Sequence, residues 1–291
     1  MFQNNKRWIF LFLLALIWGS SFILIKKGLV GFTPLQLGSL RIIITALLLF
    51  LAGFKSLKNL PKNTLKWIAI SGFFGTFFPA FLFAYAETEI DSAIASILNS
   101  IVPINTIIFG FLAFKMYSSK RQILGVLIGF AGTVLLITNG ASLNPNQNYW
   151  YAILVIIATV MYAFSINIIK RHLQNVPPIA IAVGNFAVII IPAFIVLMFS
   201  GFFTSEVIQG PDFTMSLFYI FLLSLFGTAI AKVLFNSLVQ ISTPVFASSV
   251  TYIMPIIAVT WGLLDGESFG FWQGIATVVI LLGVYLANSK R

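Results

Sequence analysis

The sequence predicts an all-α integral membrane protein of ten transmembrane helices, arranged as two inverted five-helix repeats. Three observations carry this. Of 291 residues, 59% are hydrophobic and only 8% charged, whereas a soluble domain shows water about 25% charged residues. The apolar residues fall in long runs; a helix needs about 20 residues to cross hydrocarbon, and with about eight per connection 291 residues make close to ten units. Residue types also recur between the two halves in the same order.

The first run, 8–25, follows Lys6-Arg7. It could be read as a signal peptide, but its apolar stretch of about twenty residues and the Phe22-Ile23-Leu24-Ile25 that follows Gly19-Ser20-Ser21 favour a retained helix. The next four runs are 34–53, 66–86, 92–114 and 122–138. The second half supplies 149–169, 179–200, 216–238, 244–264 and 269–287. Each is bounded by charge, Gly or Pro-Asn punctuation, and none shows the period-two alternation of a porin strand. Helices follow, because lipid leaves a backbone few other ways to satisfy its polar groups.

Charge gives the orientation. Lys6, Arg7, Lys55, Lys58, Lys62, Lys66, Lys115, Lys120, Arg121, Lys170, Arg171, Lys290 and Arg291 fall on one face, against Lys26 and Lys27 on the other. By the positive-inside rule both termini are cytoplasmic. The acids Glu87, Glu89, Asp91, Glu206, Asp212, Asp265 and Glu267 all fall at outer loops or outer helix ends. The net charge of +10 is thus an orientation signal, and no nucleic-acid partner is expected. The chain has no cysteine, so thiolate metal sites and cysteine nucleophiles are excluded. Its single histidine, His172, is read as a solvated loop residue.

The repeat is visible at fixed offsets. A shift of 152 pairs Phe74-Gly75-Thr76 with Phe226-Gly227-Thr228, Leu82-Phe83 with Leu234-Phe235, Ala95-Ser96 with Ala247-Ser248, and Pro103 with Pro255. A shift of 144 pairs Ser21, Ile25, Lys26 and Pro34 with Ser165, Ile169, Lys170 and Pro178; one of 151 pairs Gln122 with Gln273 and Gly132 with Gly283. The units are 1–140 and 141–291. An odd number of helices in each makes the second enter from the opposite face, the arrangement of many secondary transporters.

Trp18-Gly19-Ser20-Ser21-Phe22 with Lys26, Arg41, Ala95-Ser96 followed by Pro103, and Gln122…Gly125…Gly129…Gly132 together resemble EamA-type proteins of the drug/metabolite transporter superfamily. The resemblance spans essentially the whole chain. It implies a ten-helix transporter, often an exporter of amino acids or other small metabolites. The chain departs from the pattern at one place: the Gly-Glu that commonly ends the fourth helix survives as Gly266-Glu267 but reads Phe114-Lys115 in the first half.

Polar groups in hydrocarbon are costly, and each is a candidate for the transport path. Arg41 reads either as a snorkelling or capping arginine, or as the partner of a solute carboxylate or phosphate. Lys232 divides in the same way, and the 152 shift places Ala80 opposite it. Trp18, Tyr85, Tyr162 and Tyr252 could form an aromatic wall; Asn99, Asn105, Asn167, Asn185 and Asn236 divide between interhelical bonds and solute contact. Pro103 and Pro255 are hinge candidates, freeing carbonyls one turn back near Asn99 and Thr251. Away from the span ends the spans hold two cations and no carboxylate, which favours an anionic, zwitterionic or neutral solute over an organic cation. No Walker loop, HExxH helix or nucleophile elbow is present in the sequence, so no enzymatic activity, cofactor or metal is expected. The expectation is an inner-membrane carrier, monomeric or weakly dimeric, exporting amino acids or similar small metabolites. A carrier of anionic or phosphorylated metabolites stands second, and a lipid-handling or structural membrane protein third.

Overall fold

The computed structural model describes residues 2–90, 92–138, 148–264 and 271–287. Asp91, Asp265, Gly266-Glu267, Lys290, Arg291 and the boundary between the units at 140/141 lie outside them. Within the described residues the chain is helical and holds no strand.

The first helix is bent: α1 (Phe2–Gly19) passes through Ser20 into α2 (Ser21–Gly28), and Ser20 and Ser21 each return their hydroxyl to a carbonyl four residues earlier. A hydroxyl bonded in this way bends a helix. Next, α3 (Pro34–Gly53) opens on a capping box, in which Thr33 accepts from the Gln36 amide and the Gln36 side chain accepts from the Thr33 amide. Pro34 at the first turn costs nothing there, since its missing N–H would have had no partner. Helices α4 (Leu65–Gly72) and α5 (Phe78–Ala86) are joined by a π-turn, Phe73–Phe77. Helices α6 (Ser92–Asn99) and α7 (Val102–Phe114) are separated by a break at Ser100-Ile101, with Pro103 in the first turn of α7. Then α8 (Lys120–Thr138) starts on reciprocal bonds between Ser119 and Gln122.

The second half follows with α9 (Ala152–His172), α10 (Pro178–Phe199) and the short α11 (Ser205–Ile208). Helices α12 (Phe213–Ser224) and α13 (Ala231–Ile241) are joined by a second π-turn, Leu225–Ile230. Helix α14 (Pro244–Ser248) is capped by Thr243 and breaks at Ser249 into α15 (Val250–Leu264), which carries Pro255 inside it; α16 (Phe271–Ala287) completes the described chain.

Six helical stretches are long and apolar enough to cross a membrane: Asn5–Gly28, Pro34–Lys58, Lys62–Ala86, Ala152–His172, Pro178–Phe199 and Phe213–Ile241. Shorter apolar helices run over Val102–Phe114, Pro244–Ile257 and Gly274–Ala287. The breaks at Ser100-Ile101 and Ser249 are why the runs 92–114 and 244–264 read as continuous in sequence but fold as two pieces each. Outward faces carry large apolar side chains such as Leu51, Leu112, Ile191 and Phe199, as a helix surrounded by acyl chains would.

Inside, Leu11, Leu14, Ile166, Ile169, Leu173, Phe235, Leu238, Val239 and Phe246 make the largest buried cluster, drawn from α1, α9, α13 and α14. A second cluster packs α3 on α10 through Ile42, Ala46, Leu49, Val183, Phe186 and Ile189. Helices α8 and α16 approach so closely that a Cβ on Gly125 would stand 2.7 Å from the Gly283 carbonyl oxygen. Small residues are what let two helices in lipid touch along their backbones.

One sequence expectation is corrected here. His172 is not in a loop. It ends α9, and its ring lies flat on Trp67 with centroids 3.7 Å apart and planes 4° from parallel. Helix α9 extends this far because its end is anchored: Lys170 Nζ donates to the carbonyls of Gln240 (3.0 Å) and Ser242 (2.7 Å) at the end of α13.

Candidate functional site

A central cavity, partly open to the outside, lies between the two halves of the chain. The π-turns form two of its walls. A π-turn carries one residue too many for α-helical bonding and so leaves a carbonyl looking for a donor. Both turns find theirs on a cavity side chain from the other half. Lys232 Nζ, on α13, donates to Gly75 O at 3.1 Å, and Trp18 Nε1, on α1, donates to Gly227 O at 2.9 Å. The Phe-Gly-Thr triplets that recur at a shift of 152 are therefore the sequence mark of these turns.

Arg41 does not snorkel outward. Its Nε donates to Thr228 Oγ1 at 2.8 Å, and Ser224 Oγ donates to the Arg41 carbonyl at 3.3 Å. The guanidinium thus sits on the second π-turn, one helical turn before Lys232. Glu87, buried at the end of α5, acts on Arg41 through space without lining the cavity. Among the described residues lining the cavity, none is Asp or Glu.

Other walls are apolar and aromatic: Phe22, Phe83, Tyr162, Phe235 and Met254, with Trp18 against Phe235 at 5.1 Å between centroids. Thr76 and Asn99 line this space, and the Thr76 hydroxyl oxygen and Asn99 Oδ1 are buried without a hydrogen-bond partner. The Asn99 amide nitrogen reaches only the Met254 sulfur, at 4.0 Å. A buried polar atom without a partner is expensive.

Of the residues singled out in sequence, the cavity gathers Trp18, Arg41, Asn99, Tyr162 and Lys232. The others lie elsewhere. Asn185 ties α10 to α4, donating to Ile68 O at 2.6 Å and Ser71 Oγ at 2.9 Å. Asn236 donates to Pro178 O at 3.2 Å, and Asn105 to Thr159 Oγ1 at 3.0 Å. Tyr252 is fully buried, its hydroxyl on Val126 O at 2.9 Å and its ring pressed on Gly129. Tyr85 is half-exposed near the end of α5 and does not line the cavity. Asn167 lines a separate pocket with Gln122 and Thr243, donating to Thr106 O at 3.1 Å. The prolines do not line the main cavity; Pro103 follows the break beside Asn99, and Pro255 follows Thr251 and Met254. Sequence reasoning missed Gly75, Thr76, Gly227 and Thr228 as cavity residues. Their signal was in the repeated triplet, which marked the duplication but not the carbonyls that these turns present to Lys232 and Trp18.

Comparison with known proteins gives the same outline. The EamA-like transporter family model matches residues 6–138 and again 149–289. The chain is 28% identical to an inner membrane transporter of Escherichia coli K12 named YedA, over 97% of this chain and 90% of that one. It is 25% identical to a probable amino-acid metabolite efflux pump of the same organism, over 98% and 95% of the two chains. A protein crystal structure superposes with a TM-score of 0.73 over 97% of this chain and 96% of that one, at 18% identity, a likeness of fold alone.

Proposed function

Since the chain belongs to the EamA-like transporter family, we propose that it is a secondary carrier that moves amino acids or similar small metabolites outward across an inner membrane. In this reading ten helices form two inverted five-helix units, 1–140 and 141–291, with both termini in the cytoplasm. The carrier acts as a monomer or weak dimer and works by alternating access around the central cavity.

The observation that carries the reading is the cavity itself, lined from both halves and closed around Arg41 and Lys232 with no carboxylate among its described lining residues. A solute carboxylate has two cations to meet there, and an organic cation has none of the opposite charge it would need. The duplicated outline is supported by the family model matching twice, and by π-turns falling at equivalent sequence positions, Phe73–Phe77 and Leu225–Ile230. Such turns and breaks are where one helix can change its packing without unfolding. One relative is named a probable amino-acid metabolite efflux pump, which supports this cargo class.

The test is uptake and efflux of labelled amino acids by the full chain in proteoliposomes, with Arg41→Ala and Lys232→Ala beside the wild type. Both substitutions should lower transport. If both variants move every solute as the wild type does, the cationic cavity is not the site.

A further inference from the structure

Resting on the reading of this cavity as the path of a small metabolite, we infer that the solute is recognised through one carboxylate alone. Organic-acid monoanions are then cargo on equal terms with amino acids, and the amino group is dispensable.

Three features carry this. The first is where hydrogen-bond capacity is left over. Arg41 commits its Nε to Thr228 Oγ1, and Lys232 commits one N–H to Gly75 O. A guanidinium has five N–H donors and an ammonium three, so most of their donors have no partner among these bonds. Both line the cavity, so a solute carboxylate has donors of two cations to meet there. Charge-assisted bonds of this kind are about twice as strong as neutral ones.

The second is what waits for the rest of the solute. The remaining polar side chains of the lining, among them Ser21, Thr76, Asn99, Ser165, Ser248 and Thr251, are neutral. A neutral oxygen can accept from a hydroxyl or from an ammonium, but it supplies no countercharge. The remaining walls, Phe22, Phe83, Phe235 and Met254, want an apolar body.

The third is charge balance. Among the described lining residues Arg41 and Lys232 are cations and none is a carboxylate, so this lining is net positive. A monoanion lowers that charge, a zwitterion leaves it in place, and an amine adds to it. In a weakly polarisable interior an uncancelled charge is disfavoured, so the order is acid anion first or level with the amino acid, and amine last.

The experiment uses three molecules with one carbon skeleton: L-leucine, 2-hydroxy-4-methylpentanoate and 3-methylbutylamine. The full chain in proteoliposomes is assayed for counterflow of labelled leucine and labelled hydroxy acid, with each unlabelled molecule as competitor. The hydroxy acid should be carried and should compete within about threefold of leucine or better, and the amine at least about tenfold worse. Lys232→Gln should weaken leucine and the hydroxy acid by the same factor, since both would lose the same bond. Leucine outcompeting the hydroxy acid by about tenfold or more would mean that the ammonium is recognised, and would overturn the inference while leaving the carrier intact. Transport of the amine without the acids would do the same. Movement of none of the three would remove both the inference and the cargo class on which it rests.

Discussion

Lys232→Met separates the two jobs of one ammonium. The side chain is nearly the same length, and 7% of the lysine surface is exposed, so the change removes charge and donors while keeping volume. Two effects on stability oppose each other. Gly75 O loses its donor at 3.1 Å, and a buried acceptor left alone costs about 1–3 kcal/mol. Against this, the folded protein no longer holds an ammonium away from water, a burden of several kcal/mol that its hydrogen bonds offset only in part. The expected net change in unfolding is within about 1 kcal/mol of zero. Binding has no such compensation. A charge-assisted bond to a carboxylate is worth about 1.5–3 kcal/mol, which at 1.4 kcal/mol per decade is about 10- to 150-fold in affinity. The assay pairs thermal unfolding of the purified variant in detergent with solute binding measured on the same sample. An unfolding midpoint near that of the wild type together with unchanged affinity would refute the reasoning, because it would mean that the ammonium meets no part of the solute.

Two further outcomes follow from the same geometry. Asn185→Ala removes two bonds between α10 and α4; at about 0.6 kcal/mol for each such bond in a membrane, with a small void added, it should destabilise by about 1–2 kcal/mol and leave solute affinity unchanged, read by unfolding and binding together. Gly283→Val places a Cβ against the backbone of Gly129 and Gly125, where no side chain can swing aside, so α8 and α16 must part; the fraction of monodisperse protein on size exclusion should fall sharply, whereas Val278→Ala on an exposed face of α16 should leave it unchanged.

Much of this fold was legible because hydrocarbon imposes simple rules. An apolar run of about twenty residues has to be a helix, so the positions of α3, α9 and α10 could be read directly. Breaks within runs were not legible in the same way. Ser249 and Ser100-Ile101 interrupt the helix inside runs that stay apolar on average, and Pro103 and Pro255 indicated a bend but not the residue at which it occurs. The site divided along a physical line. Cations inside the spans had only two places to go, lipid headgroups or a cavity, and both Arg41 and Lys232 turned inward. The asparagines were harder, because an amide is satisfied equally by a neighbouring helix or a solute. Asn185 and Asn236 donate to backbone carbonyls on adjacent helices, whereas the Asn99 nitrogen reaches only the Met254 sulfur in the cavity wall. Nothing in composition separates these fates. His172 misled for a related reason: a basic run reads as a loop, whereas the flat face of Trp67 gives an imidazole cover at a helix end.

The crossed bonds at the π-turns have a consequence for how a solute is oriented. At the offset that pairs Gly75 with Gly227, the residue opposite Lys232 is Ala80. Two identical five-helix units facing each other would carry either no ammonium or a mirrored pair of them, and such a chamber could not tell one end of a guest from the other. In this chain one turn is held by an ammonium and the other by an indole. The chamber therefore has a head and a tail, and under the carboxylate reading proposed above a solute would lie in one direction within it. Joining the halves in one polypeptide is what allows that polarity, since each half can then change alone.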